Sequence, residues 1–425
     1  MATEKVHVHC DVFIAGGGPA GIAAALSAAR AGANTILCER YGILGGGLVA
    51  SFVRPLLGSV KNTNIGNEIE KRLEQYSDIA SPFERTKIVL TEMLQEAGVR
   101  VFLQTQITNA VTKAGRIVFA EAVSQAKTYR FSAKTYIDAS GDGNLASLAG
   151  CEIEIGRDGD RLVQPASIMF TIDGIEPDDG LCCCQEEDYR QLSNGTEYLS
   201  LCHEACRTGE LPPSVNIVRL YDIGCPGERM VNATQYNHLD PLDPEEIFRA
   251  ENNLRQQILM IVRFLRKHIP GFSNVRVTGS ASTLGVRESR RVLGDYVLTG
   301  EDLIAGRKFP DAIVHDANFC IDIHNPDGAG QAETDGRPHL AQNYDIPYRS
   351  LTPRGLSNLL TCGRCISGSH RAHASYRVMR ICMATGNAAG LAAYAACETG
   401  DVRKIDIAAL QQKLHIAPYS THSID

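Results

Sequence analysis

A glycine-rich run near the beginning of the chain has the spacing of a phosphate-binding turn. It reads GGGPAG, with glycines at the first, third and sixth positions of a GxGxxG pattern. In such a turn Gly16 permits a sharp bend, Gly18 lets backbone N–H groups approach a pyrophosphate, and Gly21 lets a helix pack closely on a strand. Pro19 and Ala20 would open that helix, whose N-terminus favours negative charge. The run therefore predicts a site for the pyrophosphate of a dinucleotide.

A carboxylate follows this turn at the distance where dinucleotide-binding proteins contact a ribose. Glu39 lies 18 residues beyond Gly21, and Arg40 comes directly after it. At the end of a second strand, the Glu39 carboxylate can accept hydrogen bonds from the adenosine ribose. Its negative charge disfavours a 2′-phosphate, which argues against NADPH as the nucleotide. An empty, vestigial nucleotide-binding unit is the alternative interpretation.

The residues on either side of the turn predict the elements that would position it. Residues 11–15 and 34–38 are short apolar runs, typical of buried parallel strands. Residues 22–31 between them are mostly small and predict a tightly packed helix that ends at Gly32. Strand, glycines, helix, strand and acid come in the order of a βαβ nucleotide-binding unit, which predicts a Rossmann-like α/β fold.

Further glycine turns indicate that the ligand is long. LGGG occupies 44–47, a strand at 136–143 ends in a tight turn after hairpin-like runs over 116–132, and another strand at 358–362 precedes a glycine. A ligand that both chain ends contact in this way has the length of FAD. The candidate cofactor contacts in these later segments are Gly46, Gly47, Ala139, Gly141, Asp142, Gly363, Arg364, Ser375 and Gly386.

Several motifs together make the chain resemble a known family. They are GGGPAG, the ER pair at 39–40, LGGG, EAGVRVFLQTQI at 96–107, IDASGDGNLASLAG at 137–150, LGVRESRRVLGDY at 284–296 and the long small-residue segment at 358–396. The chain resembles the FAD-dependent oxidoreductases of the glutathione-reductase-type flavin fold, in the branch related to fumarate reductase and succinate dehydrogenase flavoproteins. The resemblance implies FAD and redox chemistry, without implying a substrate. Covalently flavinylated relatives carry a histidine where this chain has Gly42-Ile43-Leu44, so non-covalent FAD is expected.

The middle of the chain predicts an inserted domain. It is richer in proline and aspartate, and Asp243-Pro244 starts a long amphipathic helix that ends at His268. A helix over 196–208 and strands over 275–283 and 296–299 are also expected. The predicted fold is α/β, with a discontinuous Rossmann-like FAD-binding domain and an inserted α+β substrate domain. The predicted boundaries are 1–160 for the first part of the FAD-binding domain, 161–345 for the substrate domain, and 346–425 for the closing strand, helix and tail.

Candidate catalytic residues come from three segments that would reach the flavin. Flavin dehydrogenation needs a group that exchanges a proton with the substrate, and cations that fix a polar or anionic substrate. Arg287 lies at a turn after a strand, and His324 would share one strand face with Asp322 over 321–324. Residues 369–375 would open the final helix, which is expected to run on to residue 397. The start of this helix would lie at the flavin pyrimidine edge and carry the remaining candidates. These candidates are His370, His373 and Arg377, with Ser375 between them.

Structural roles are the alternative for these candidates. Arg290 and Arg291 would be solvated or paired with Asp295 and Glu301, since surface arginines commonly form such pairs. His324 would then be a structural hydrogen-bonding residue, and Arg377 would form an intramolecular ion pair instead of a substrate clamp.

The cysteines and histidines do not predict a metal centre. Cys182, Cys183 and Cys184 are consecutive, and three neighbouring thiolates do not readily converge on one ion, so buried structural thiols are favoured. Cys362 and Cys365 form a CxxC pair, for which packing is favoured over redox exchange with FAD. A triad of His315, Asp322 and His324 matches no known ligand spacing.

Composition narrows the class of protein further. The 425 residues include 42 Lys and Arg against 49 Asp and Glu, a net charge of −7, which argues against a nucleic-acid or polybasic membrane partner. No apolar run reaches the roughly 18 residues of a membrane helix, and the first residues lack the features of a signal peptide. A cytoplasmic enzyme with a small-molecule substrate is expected, and a homo-oligomer stays open.

Three functions fit these observations. The favoured one is a dehydrogenase or reductase that moves a hydride between flavin N5 and a small polar or anionic substrate. A flavin-dependent monooxygenase with the same fold is the first alternative. A catalytically silent FAD-binding subunit of a larger complex is the second.

Overall fold

The structure is a computed structural model that describes residues 4–54, 56–62, 65–177, 180–184, 191–332 and 340–416. The end of the predicted closing segment, 417–425, lies outside these ranges. The strands are β1 (Glu4–Ala15), β2 (Thr35–Cys38), β3 (Arg100–Phe102), β4 (Gln106–Lys113), β5 (Arg116–Ser124), β6 (Lys127–Asp138), β7 (Ile153–Ile155), β8 (Phe170–Asp173), β9 (Arg219–Tyr221), β10 (Arg229–Asn232), β11 (Arg276–Ser280), β12 (Arg290–Val292), β13 (Ala312–Ala317), β14 (Tyr344–Pro347) and β15 (Leu359–Thr361).

The α-helices are α1 (Pro19–Arg30), α2 (Ile65–Leu73), α3 (Pro82–Glu96), α4 (Asn144–Leu148), α5 (Tyr198–Thr208), α6 (Pro244–His268), α7 (Gly300–Ile304), α8 (His370–Tyr376), α9 (Met379–Thr399) and α10 (Ile407–Lys413). Short 3-10 turns occupy Gly46–Leu48, Glu74–Tyr76, Tyr348–Ser350, Gly363–Cys365 and Val402–Lys404. None of the helices in the described ranges combines the length and apolar character that crossing a bilayer requires.

The largest sheet brings the two ends of the chain together. Its strand order is β3-β2-β1-β6-β5-β4, and β15 also pairs with β6. The strands β1, β2, β6 and β15 run parallel, with Ala15 beside Cys38 and Asp138, and Asp138 beside Thr361. Their carboxyl ends therefore lie at one edge, which is where ligands bind in open α/β sheets. The predicted Rossmann-like α/β fold is confirmed, and the predicted hairpin forms β5 and the first half of β6.

Two helices of small residues pack against one another beside this sheet. A Cβ added to Gly386 would lie 2.1 Å from the Ala20 carbonyl oxygen, and one added to Gly390 would lie 2.3 Å from that of Ala24. Larger residues would force α9 away from α1. The close approach inferred for Gly386 is therefore an approach to the backbone of α1.

The prediction of one continuous final helix, opened by residues 369–375 and running to residue 397, is wrong. Ser369 caps α8 through its hydroxyl, which accepts a hydrogen bond from the Ala372 N–H, and α8 ends at Tyr376. Val378 then takes an extended backbone conformation, with φ −72° and ψ 153°, and α9 begins at Met379. The interruption moves the start of the long helix beyond Ser375.

The middle of the chain forms a second, antiparallel sheet. Its order is β11-β8-β10-β9, and helices α5 and α6 contribute to the apolar cluster beneath it. The long predicted helix is confirmed as α6, whose start is capped by the Asp243 carboxylate at 2.8 Å from the Glu245 nitrogen. The strand predicted over 296–299 is wrong, because Thr299 instead caps α7. Residues 321–324 also form no strand. The three domain boundaries stay predictions.

Candidate functional site

The glycine-rich turn lies between β1 and α1, and its glycines have different physical reasons to be glycine. Gly16 has φ +107°, and a Cβ there would lie 2.6 Å from the Ala139 carbonyl oxygen. A Cβ on Gly21 would lie 1.9 Å from the Gly16 oxygen. Gly18, at the N-cap of α1, has φ −76°, and a Cβ there would meet no atom within 4 Å. Protein packing therefore requires glycine at 16 and 21, whereas the space at Gly18 faces outward from the protein.

The Glu39 carboxylate is fixed beside this turn. One oxygen accepts a hydrogen bond from the Gly17 N–H at 2.6 Å, and the other accepts one from the Tyr41 N–H at 2.8 Å. The side chain is buried, since Glu39 is 5% exposed. This position suits a carboxylate that contacts a ribose next to a pyrophosphate turn.

Arg40 turns away from Glu39 and joins the turn that follows β6. Its guanidinium lies 3.2 Å from Asp142, which also pairs with Arg364 at 3.1 Å and accepts a hydrogen bond from the Ser289 hydroxyl at 2.7 Å. Burial alone would raise the pKa of Asp142, but Arg364 and Arg40 hold the pKa below its ordinary value. Asp142 is thus an ionised link between the two ends of the chain.

The remaining glycine turns lie close to the turn between β1 and α1 and to the Asp142 cluster. A Cβ on Gly46 would lie 2.9 Å from the Gly18 Cα, and one on Gly363 would lie 2.9 Å from the Ala20 Cβ. Gly47 faces Met379, and Gly141 faces Arg364, whose nitrogen would lie 2.7 Å from an added Cβ. The cradle, as these residues are called below, comprises Gly16, Gly17, Gly18, Pro19, Ala20, Gly21, Glu39, Arg40, Gly46, Gly47, Ala139, Gly141, Asp142, Gly363 and Arg364.

Two predicted cofactor contacts, Ser375 and Gly386, pack against other parts of the protein. Ser375 is fully buried, and its hydroxyl donates to the Phe319 carbonyl at 2.6 Å and lies 2.8 Å from the Tyr344 hydroxyl. Gly386 faces α1, as described above. The structure gives both residues contacts within the protein, and their contact with a cofactor stays a prediction.

A buried acid joins the cradle to a histidine. The Ser289 hydroxyl donates to the Asp142 carboxylate, and the Arg290 Nε donates to the Asp142 backbone oxygen, both at 2.7 Å. The preceding residue, Glu288, is fully buried. Glu288 pairs with Arg291 and lies 2.9 Å from the Nδ1 of His370. The pairing of Arg290 and Arg291 with Asp295 and Glu301 is therefore wrong; Asp295 and Glu301 pair with Arg403 and Arg371.

Replacing Glu288 with glutamine is expected to destabilise the protein by about 3–5 kcal/mol, because it leaves the buried Arg291 with only the half-exposed Glu154 carboxylate, 3.8 Å away, as a counter-charge. Arg291 is 2% exposed, and its other hydrogen bonds go only to backbone carbonyls, at 2.8 Å from Gly368 and Gly156. The midpoint of urea unfolding measures the change. Glu301→Gln is the matched control, because it breaks an ion pair whose acid is 73% exposed. Equal midpoints for the two variants would contradict the prediction.

A second charged cluster, around Asp322, lies beside the first one, which consists of Glu288, Arg291 and His370. Asp322 pairs with Arg377 at 3.0 Å and with the Nε2 of His324 at 3.2 Å, and it accepts a hydrogen bond from the Gln331 amide at 3.0 Å. Burial and the nearby positive charge of Arg287 lower the pKa of His324 to about 4. His324 is therefore neutral at pH 7 and donates its Nε2 proton to Asp322. Arg377 therefore forms an intramolecular ion pair, which was the alternative to a substrate clamp.

Gln164 connects the two clusters, and sequence reasoning missed it. Its backbone N–H donates to Glu288 at 3.1 Å, and its side-chain oxygen accepts from the His324 N–H at 3.3 Å. A lone glutamine outside any motif gave no signal. Buried polar atoms without a protein partner gather here: Gln164 Nε2, Gln331 Oε1, His370 Nε2, His373 Nδ1 and Arg377 Nε. Buried polar atoms are rarely left unpaired, so among the described residues these atoms are available to water or to a bound polar molecule.

His373 differs from His370 in its surroundings. It is buried against Tyr376, with ring centroids 5.5 Å apart. Burial and the positive charge of Arg291 hold its pKa well below the ordinary value, so its ring is neutral.

The CxxC cysteines flank Gly363 and Arg364 of the cradle, whereas the metal candidates belong to other segments. No disulfide joins any of the 14 cysteines, all of which lie in the described ranges. Cys362 and Cys365 are fully buried, and burial raises the pKa values of their thiols far above the ordinary value. Thiols in that state are poor nucleophiles. Among the described residues, the group with metal-ligand spacing is His315, Asp316 and Asp345, and Lys308 already pairs with both of its acids.

Comparison with known proteins identifies the family. The profile of the family described as FAD dependent oxidoreductase matches residues 11–414. The chain belongs to this family. It is an FAD-dependent oxidoreductase, and the outward-facing space at Gly18, between the Glu39 carboxylate and the turns from both chain ends, fits the FAD that the family requires.

Individual relatives match shorter stretches. Sarcosine oxidase subunit alpha of Rhizobium meliloti is 49% identical over 49 residues, which are 12% of this chain and 5% of that protein. Thiamine thiazole synthase of Aeropyrum pernix is 31% identical over 120 residues, which are 27% of this chain and 43% of that protein. The chain thus spans less than half the length of either. A geranylgeranyl bacteriochlorophyll reductase-like structure from Thermoplasma acidophilum has a TM-score of 0.51 at 15% identity, covering 96% of this chain and 83% of that one, and shares the fold.

Proposed function

We propose that this flavoprotein is a dehydrogenase or reductase that acts on a small polar or anionic substrate. The observation that carries the proposal is the buried Glu288–His370 pair, which leaves His370 Nε2 without a protein partner next to the cradle. The cradle residues would hold FAD. When bound, FAD supplies the centre that accepts or donates a hydride.

His370 would move the proton that accompanies the hydride. The Glu288 carboxylate accepts a hydrogen bond from Nδ1–H, which fixes the tautomer and leaves the lone pair on Nε2. In the oxidative direction Nε2 takes a proton from the substrate, and in the reductive direction it returns that proton. Glu288 stabilises the imidazolium that forms. Glu288 is therefore a positioning residue, held by the Arg291 guanidinium and the Gln164 N–H.

The second cluster would orient the substrate. Arg377 keeps its buried Nε free while its terminal nitrogen holds Asp322, and Gln164 and Gln331 each keep one free amide atom. These buried groups offer two donors and one acceptor, and burial strengthens hydrogen bonds to a polar ligand. They suit a ligand with oxygen atoms. Among the described residues here, positive charge exceeds negative charge, since the two guanidinium groups of Arg377 and Arg287 share the Asp322 carboxylate.

Anaerobic reduction of the bound flavin tests the proposal. The FAD-loaded protein is mixed with hydroxy acids, amino acids and unsaturated acids, and the flavin absorbance is followed. We expect one class of substrate to bleach the flavin without another reductant. A requirement for NAD(P)H, with oxygen from O₂ in the product, would replace the proposal with a monooxygenase. Failure of every donor, together with a co-purifying partner, would instead indicate a silent subunit.

The bound FAD is expected to be non-covalent. Gly42, Ile43 and Leu44 occupy the positions where covalently flavinylated relatives carry a histidine, and none of them offers a nucleophile. Acid precipitation should therefore release the yellow flavin into the supernatant. Flavin that stays in the pellet would contradict this prediction.

A further inference from the structure

A small polar cavity opens beside the second charged cluster. Its volume is about 20 Å³, and its lining includes Arg219, Arg287, Asn232, Gln235 and His324. Among the described residues that line it, none is acidic. Amides from β10 and the segment after it therefore share this space with two guanidinium groups.

Arg287 differs from the other arginines of the site in lacking a carboxylate. Arg291 pairs with Glu288, Arg364 with Asp142, and Arg377 with Asp322. Within the described part of the chain, the hydrogen bond that Arg287 makes is the one from Nη1 to the Pro165 carbonyl at 2.6 Å. Its remaining N–H donors are available to a ligand.

The surroundings of Arg287 favour an anion as that ligand. Burial and the positive charge of Arg377 lower its pKa to about 9, the direction expected for a cation without sufficient counter-charge. Asp322 raises it, but that carboxylate is already shared by Arg377, His324 and Gln331. Placing a cation in such a site is costly unless a bound anion compensates it.

We propose that the substrate of this enzyme carries a carboxylate, and that this carboxylate enters the cavity and pairs with Arg287. The inference rests on the proposed function and deepens it. A cavity needs about 10–15 Å³ for one water molecule, so about 20 Å³ suits one or two oxygen atoms, and the rest of a ligand would lie outside this space. A planar carboxylate also matches the guanidinium fork, whereas a tetrahedral phosphate requires more room. The rest of the substrate would extend toward His370.

Calorimetric titration of the oxidised, FAD-loaded protein tests the subsite without catalysis. The probes are acetate and propionate, with acetamide as the neutral isostere and inorganic phosphate as the larger anion. We expect both carboxylates to bind and acetamide and phosphate to bind at least about 10-fold more weakly, because acetamide lacks the negative charge and phosphate needs more space. Equal binding of acetamide, tighter binding of phosphate, or no binding of either carboxylate would overturn the proposal.

Variants of Arg287 test whether the carboxylate probes bind at this residue. Arg287→Gln should weaken acetate binding by about 10- to 100-fold, and Arg287→Lys should weaken it less, since lysine keeps the charge but loses the paired donors. Arg349→Gln, which breaks an exposed pair with Asp311, is the control and should bind acetate normally. Acetate binding that is unchanged in both Arg287 variants would refute the assignment. If Arg287→Gln fails to fold, Arg287→Lys and the probe comparison in the unmodified protein still decide it.

One further variant separates the two proposals. His370→Gln should lose flavin reduction but keep acetate binding, since His370 does not line the cavity. If no metabolite reduces the flavin while acetate still requires Arg287, the carboxylate subsite stands and the hydride-transfer proposal fails. If neutral substrates reduce the flavin as fast as acids in both the unmodified protein and Arg287→Gln, hydride transfer stands and the subsite fails.

Discussion

Replacing Gly18 with valine is expected to abolish FAD binding while the protein still folds. Gly18 has ordinary backbone angles, φ −76° and ψ −177°, and no protein atom lies within 4 Å of an added Cβ. Valine therefore fits the protein, at a cost of about 1 kcal/mol for a poorer helix N-cap. Its methyl groups would occupy the space that the pyrophosphate needs. Loss of one or two hydrogen bonds to the charged phosphates weakens FAD binding by about 100-fold or more.

Flavin content and fluorescence measure this effect. The purified Gly18→Val protein should be colourless. The protein concentration at which the apoprotein quenches half of the FAD fluorescence should rise at least about 100-fold, because hydrogen bonds to the phosphates are lost. The far-UV circular dichroism should match that of the unmodified protein. Ala31→Val, at the other end of α1, is the control and should bind FAD fully. A yellow Gly18→Val protein with one FAD per chain would show that the turn does not hold the pyrophosphate.

Replacing His370 with glutamine is expected to slow flavin reduction by about 10²–10⁴-fold, the usual contribution of a positioned acid or base. Glutamine keeps a donor for Glu288 and fills most of the same buried volume, so the fold and FAD binding should persist. What it removes is the lone pair at the position of Nε2, which has no protein partner. The anaerobic stopped-flow rate of flavin bleaching by substrate measures the loss.

The pH dependence distinguishes catalysis from packing. If His370 moves the proton, the pH profile of the unmodified protein should contain a limb that vanishes in His370→Gln, because glutamine neither takes up nor releases a proton. His268→Gln is the matched control, since His268 also contacts a glutamate, Glu210, at 2.7 Å, but at the partly exposed end of α6. A His370→Gln enzyme that is slow yet keeps the same pH limb would assign the proton transfer to another group.

Local sequence determined the nucleotide-binding edge of the fold. The turn at Gly16, the helix that follows it and the acid at Glu39 lie within 24 consecutive residues, and their spacing alone predicts how they meet. The long helix α6 was predictable for the same reason, because Asp243 and Pro244 stabilise its start through contacts within one turn. Such local preferences depend on residues that are close in sequence, so they can be predicted without the tertiary structure.

Tertiary structure alone decided which charges meet. His370 and Glu288 are 82 positions apart, and nothing in their local sequences marks them as partners. Arg290 and Arg291 were expected to pair nearby, yet the short strand β12 points them to opposite sides, one toward Asp142 and the other toward Glu288. Gln164 enters the site only because its backbone crosses between two clusters. An ion pair in a protein interior forms where packing brings the charges together and removes water, and packing is a property of the whole chain.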